Sequence, residues 1–64
     1  MIKTIEVKDL KPGTIFYWDY TNICIVLVNE KIHKDLYKSF CLDKHNKIRS
    51  MLNGGLTTFQ IPAK

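Results

Sequence analysis

TIFYWDYTNICIVLV, residues 14–28, is the stretch on which the rest of the chain depends. It contains four of the chain's seven aromatics and its longest apolar run, residues 23–28. Ile, Val, Phe, Tyr and Trp fit a pleated, half-buried surface, so the stretch predicts a β-hairpin. Residues 19–22, DYTN, interrupt the run, and Asn accepts a left-handed turn conformation more readily than most residues. A Thr21-Asn22 loop sets Trp18 opposite Ile25 and Phe16 opposite Leu27. A loop of residues 20–22 sets Trp18 opposite Cys24 and Phe16 opposite Val26. Both registers keep apolar residues together. The second strand is apolar on both faces, with Cys24, Val26 and Val28 on one and Ile23, Ile25 and Leu27 on the other. Such a strand is normally covered on both sides. One cover is the sheet closing on itself; the other is an arm of the same chain or a second subunit.

The totals set the scale. Sixty-four residues make one domain, residues 1–64. A chain of this size buries about 60% of its unfolded surface, which leaves its stability marginal. With 45% hydrophobic and 25% charged residues, the composition is that of a folded domain. A net charge of +4 permits polyanion binding without requiring it. Residues 1–13 lack the apolar segment of a secretory signal, and no stretch approaches the roughly 18 apolar residues of a membrane span. Two cysteines without a CxxC spacing make no disulfide framework, and Cys24 falls where a core residue belongs. A reduced, cytoplasmic protein is expected.

Residues 1–8 alternate weakly around Ile5 and Val7 and predict a short edge strand or arm. Pro12 presets φ and Gly13 supplies a positive one, which makes a type II turn, with Leu10 entering the core beside it. Residues 36–43 and 47–52 read as two further strands. A three-residue loop, Lys44-His45-Asn46, sets Leu42 opposite Ile48, Phe40 opposite Ser50 and Asp43 opposite Lys47, with Asn46 left-handed. A helix over residues 37–52 fails because Phe40 and Leu42 fall on different faces. Asn53-Gly54 predicts a type I′ hairpin turn that sets Ile48 opposite Phe59 and Lys47 opposite Gln60. The inner face then runs through Phe40, Leu42, Ile48, Leu52, Phe59 and Ile61, and Pro62 ends the last strand. Tyr37, Ser39, Cys41 and Asp43 fall on the outer face. The expected fold is all-β, a small five-stranded antiparallel barrel with a short N-terminal strand or arm.

The segments VKDLKPGTIFYW (residues 7–18), ICIVLVNE (23–30) and FCLDKHNKIRSM (40–51) resemble the small SH3-like barrel proteins common in bacteriophage and other mobile elements. The resemblance lies in Leu10, Pro12, Gly13, Phe16 and the strand rhythm, all structural positions. It implies an SH3-like barrel, phage encoding and a place in the host cytoplasm, and it assigns no functional residue. The glycine-bearing loop of related barrels in translation and transcription factors is not evident.

Little in the sequence points to catalysis. Cys41, expected on the outer face beside Arg49, would have a lowered pKa and raised reactivity, but no motif surrounds either cysteine. Cys24, His33, Cys41 and His45 do not have the spacing of a zinc site, and no cofactor is implied. Phe16 and Trp18 read as core, while Tyr17 and Tyr20 are open to stacking. Basic residues collect on the 44–49 hairpin. Tyr37, Lys44, His45, Lys47, Arg49 and Gln60 therefore form the candidate binding surface, for a protein or a nucleic acid. The same lysines also suit a solvated edge. The sequence predicts a non-enzymatic binding module with a host protein as partner. Alternatives are nucleic-acid binding through residues 44–49, or a homo-oligomer that binds a small ligand at its interface. A homodimer through the Ile23–Val28 strand is a further expectation.

Overall fold

Lys11, Pro12, Gly13 and Thr14 turn the chain at the entrance to the core. Thr14 N donates to Lys11 O at 2.9 Å, and Gly13 has φ 93°, the type II geometry its sequence predicts. The computed structural model describes residues 3–19 and 21–62. It is all-β apart from one short 3-10 turn, Val7–Asp9. The strands are β1 (Lys3–Glu6), β2 (Ile15–Tyr17), β3 (Ile23–His33), β4 (Leu36–Asp43), β5 (Ile48–Gly54) and β6 (Thr58–Ile61). They form two antiparallel sheets, one of four strands in the order β2-β3-β4-β5 and one of two, β1-β6. Among the described residues no ladder joins the two sheets, so six strands stand as a sheet and a ribbon, without closure into a barrel.

The β4-β5 hairpin has the expected register. Leu42 lies opposite Ile48 and Phe40 opposite Ser50, and Asn46 is left-handed with φ 61°. Its buried face is the reverse of the expected one. Ser39, Cys41 and Asp43 are buried, whereas Ile48 and Leu52 are 68% and 57% exposed. The polar members of the buried face have partners. Ser39 Oγ donates to Asn29 Oδ1 at 2.7 Å, and Asp43 receives Arg49 Nε at 2.7 Å. A satisfied polar group can be buried at little net cost, and hydropathy alternation does not register that.

A β-bulge completes the reversal. The β3-β4 register shifts between Val26 and Val28, which leaves Leu27 and Val28 both exposed. Val28, expected on the same face as Cys24 and Val26, thus points out while they are buried, and Asn29 takes the inward place.

The β2-β3 hairpin matches neither expected register. Phe16 lies opposite Cys24, and Trp18 N donates to Asn22 O at 2.7 Å. Asp19 Oδ1 accepts from Thr21 N at 2.9 Å and from Asn22 N at 2.8 Å, so the turn closes around an aspartate cap and Asn22 needs no positive φ.

Asn53-Gly54 is not a turn either. Both residues continue β5, opposite Tyr37 and Leu36, and Gly54 lacks the positive φ of a type I′ turn. The chain reverses one step later, where Thr57 N donates to Gly54 O at 3.1 Å. Gly55 fits there because a Cβ would come within 3.0 Å of Tyr37 Cε1 and 3.1 Å of Asp35 Oδ1. The last strand leaves β5 and pairs with β1, with Ile5 opposite Phe59. It ends at Ile61, before Pro62.

The core lies between the two sheets. Val7, Leu10, Phe16, Cys24, Val26 and Cys41 are buried, and Ile5, Phe59 and Ile61 pack on them from the ribbon. The Phe16 and Phe59 rings stand 5.1 Å apart. Asn29 ties the 3-10 turn down: its Nδ2 donates to Val7 O at 2.9 Å and to Leu10 O at 3.0 Å. Residues 3–6 therefore cover the inner side of the four-stranded sheet. The expectation that an N-terminal arm crosses the second face of β3 does not hold for them.

Candidate binding surface

Two surfaces compete for the role of a binding site: the open face of the four-stranded sheet and the basic turn at its end. Ile15 pairs with Ile25, Ile25 with Leu42, and Leu42 with Ile48, so one apolar side chain from each strand forms a row across the sheet. Val28 and Phe40 make a second, shorter row beside it. Beyond this lie Glu30 and Lys38, and Lys38 Nζ sits 5.5 Å from the Phe40 ring centre. A shallow hollow of about 250 Å³ opens on this face, walled by Ile15, Ile23, Ile25 and Leu42, with Lys44 and Asn46 at its rim. Monomeric proteins rarely leave contiguous apolar surface of this kind without a use for it. β3 pairs with β4 on one side and, over residues 23–25, with β2 on the other, and Val26 is bonded to Gly13 and Thr14, so residues 23–26 offer this face but no free edge to a second subunit.

The six residues expected to form one binding surface are divided among four places. Lys44, His45 and Lys47 stay together, exposed on the β4-β5 turn. Lys44 Nζ donates to Thr21 O at 3.1 Å and bridges to the β2-β3 turn. Arg49 lies on the opposite side of the sheet from the apolar row, opposite Cys41. There its guanidinium pairs with Asp43 and sits 5.9 Å from the Trp18 ring centre. Tyr37 is half-buried at the far end of β4 and packs against the core. Gln60 pairs with Thr4 on the ribbon, not with Lys47. It borders a second hollow of about 210 Å³ with Tyr17, Trp18 and Phe59. Tyr20 lies outside the described residues.

Asp43 organises the basic turn from below. Its Oδ1 accepts from His45 N at 2.8 Å and Lys47 N at 3.0 Å, and its Oδ2 accepts from Arg49 Nε at 2.7 Å. These donors, the Arg49 guanidinium first, hold the carboxyl well below its usual range, down to about 2. Because the folded value is depressed, the stabilisation is full above about pH 4, near the unfolded value, and is lost as pH falls through the folded one. The melting temperature of the wild type should therefore drop more steeply between about pH 4 and pH 2 than that of Asp43→Asn. Thermal melts across that range check this, and equal slopes for the two proteins would contradict it.

Cys41, expected to be exposed and activated, is buried, and burial pushes its thiol up to about 11. Burial raises the Cys24 thiol as well, with Asp43 adding to the effect. Neither is poised as a nucleophile. Among the described residues no group of three or more His, Cys, Asp or Glu side chains is placed to hold a metal ion, and no helix is long and apolar enough to cross a membrane.

Comparisons with protein-family models, with curated proteins and with solved structures gave no significant match, so the case for a function rests on the geometry of this chain.

Proposed function

We propose that this chain is a non-enzymatic binding module, encoded by a phage or mobile element, that grips a host protein through the open face of its four-stranded sheet. The observation that carries the reading is the row Ile15, Ile25, Leu42 and Ile48, which crosses all four strands uncovered by the rest of the described chain. An apolar centre with a polar rim is the anatomy of a protein interface. Lys44 and Asn46 at one side, and Glu30 and Lys38 at the other, supply that rim. The SH3-like character and the phage origin come from the sequence resemblance. They fit a small bent sheet whose work is recognition, carried out in the host cytoplasm.

Nucleic-acid binding is the second reading, favoured by Lys44, His45 and Lys47 on one turn. Arg49, committed to Asp43, contributes little to such a surface. Affinity capture from a bacterial lysate separates the two. Capture through the apolar face survives nuclease and about 0.5 M salt, whereas phosphate contacts weaken steeply with salt. Leu42→Lys should abolish the capture, and His45→Glu with Lys47→Glu, on the turn but outside that rim, should leave it intact. The opposite pattern, with nuclease sensitivity, overturns the reading in favour of nucleic acid.

A further inference from the structure

β5 is the last strand of its sheet, and its outer edge carries no strand partner among the described residues. Which backbone groups face that edge follows from the two ends of the hairpin. Asp43 N donates to Lys47 O at 2.9 Å, and Gly55 N donates to Asp35 O at 3.2 Å. Residues 47 and 55 are thus in hydrogen-bonding pairs with β4, and antiparallel alternation puts residues 49, 51 and 53 in such pairs too. The N–H and C=O groups of Ile48, Ser50 and Leu52 therefore point outward. Their side chains are exposed on the apolar side of the sheet.

Natural edge strands of this length are usually guarded by an inward charge, a proline or a covering loop. No proline or charge stands at positions 48, 50 and 52; the charges on the core side are Lys47, just before the strand, and Arg49, which is drawn down onto Asp43. The sequence of the edge is also self-complementary. An antiparallel pairing of two copies about a two-fold axis through Ser50 sets Ile48 against Leu52 of the second copy, and Leu52 against its Ile48. On the reverse side Arg49 meets Met51, and Lys47 meets Asn53. No like charges face each other, which matters in a chain of net charge +4. A pairing centred one residue earlier would set Arg49 against Arg49.

We propose that β5 is a self-association edge: two copies join by antiparallel β5-β5 pairing centred on Ser50, giving one continuous eight-stranded sheet. Three residue pairs in the hydrogen-bonding arrangement exchange two bonds each. The open apolar faces of both copies end up on the same side, so each Ile15-Ile25-Leu42-Ile48 row continues into Leu52 of the partner copy. The inference rests on the β5 edge alone and holds whether or not the face binds a host protein.

Sedimentation equilibrium from about 10 μM to about 1 mM protein tests it. The wild type should pass from monomer to dimer across this range, with no higher species. Ser50→Pro removes an N–H that the monomer does not use, yet by symmetry deletes two intersubunit hydrogen bonds. At about 1 kcal/mol per bond this weakens association about thirtyfold. Ser50→Lys and Ser50→Glu, substitutions at an exposed position, provide a check that does not depend on proline being accommodated. Each alone places like charges face to face and should stay monomeric, and an equimolar mixture should dimerise at least as tightly as the wild type. Leu42→Lys, in the face and away from the edge, should leave dimerisation unchanged. A wild type that stays monomeric throughout, a Ser50→Lys variant that dimerises as the wild type does, or a mixture that fails to associate would overturn the proposal.

Discussion

Phe16→Ala should remove a large share of the chain's stability, about a third of it or more. Phe16 is fully buried and central, on the shortest strand of the large sheet, with Phe59 at 5.1 Å and Trp18 at 6.5 Å between ring centres. Its removal forfeits the ring contact with Phe59, one of those that join the ribbon to the sheet. Truncating a buried phenylalanine costs about 3–5 kcal/mol, through lost transfer energy and the cavity left behind. A chain of 64 residues has a stability of about 3–10 kcal/mol in all. Trp18→Ala should cost less, because Trp18 is only half-buried at the rim of the core. Chemical denaturation of the three proteins checks the ranking. A Phe16→Ala protein as stable as Trp18→Ala would show that the core is centred elsewhere.

Asn29→Asp should be nearly as damaging, although it exchanges one group of almost identical size. The asparagine amide donates to two carbonyls, Val7 O and Leu10 O, while its oxygen accepts from Ser39. The aspartate keeps the acceptor for Ser39 and turns the two donated bonds into oxygen facing oxygen. Leu10 O is left without a donor, which costs about 1–3 kcal/mol, and Val7 O, which keeps the Leu10 N–H, comes to face a charged oxygen, so a loss of about 2–5 kcal/mol is expected. The damage should be local first, since these bonds anchor the 3-10 turn over the sheet. Amide exchange should show the Leu10 N–H, bonded to Val7 O at 3.1 Å, exposed earlier than those of β3 and β4. Uniform loss of protection across the chain would contradict this anchoring role.

The same asparagine shows where the sequence stops being legible. Turns that depend on one residue's backbone preference could be read directly: Pro12-Gly13, and Asn46 in its three-residue loop. The span of β4 and the β4-β5 register followed from pattern alone, whereas β3 runs on to His33 through residues too polar to read as strand. The buried side of that hairpin did not. Phe40, Leu42, Ile48 and Leu52 are more apolar than Tyr37, Ser39, Cys41 and Asp43, and periodicity ranks the first set as core. The second set is inside because Asn29 and Arg49 satisfy Ser39 and Asp43. Asn29 reaches that place only through the bulge at Leu27-Val28, which no local signal announces. Asn53-Gly54 misled for a related reason. The chain reverses where Gly55 N bonds Asp35 O and Lys8 N bonds Gly55 O, tertiary partners that a dipeptide preference cannot contain.

The reversal of faces is also what exposes a binding surface. Had Leu42 and Ile48 gone inside, the sheet would present a polar outer side and the basic hairpin would be its chief feature. With them outside, an apolar row crosses the open face, and Lys44 at its end becomes a rim residue.

Thiol accessibility tests the assignment of faces most directly, because both cysteines lie on the side assigned to the core. The native protein, treated with a thiol-reactive aromatic disulfide near pH 8, should react only as fast as it opens, and at full rate once denatured. Burial and the raised thiol pKa values both act in that direction. Immediate reaction of Cys41 in the folded protein, with Leu42→Lys destabilising the chain as a core substitution would, would place the apolar row inside and remove the proposed binding face.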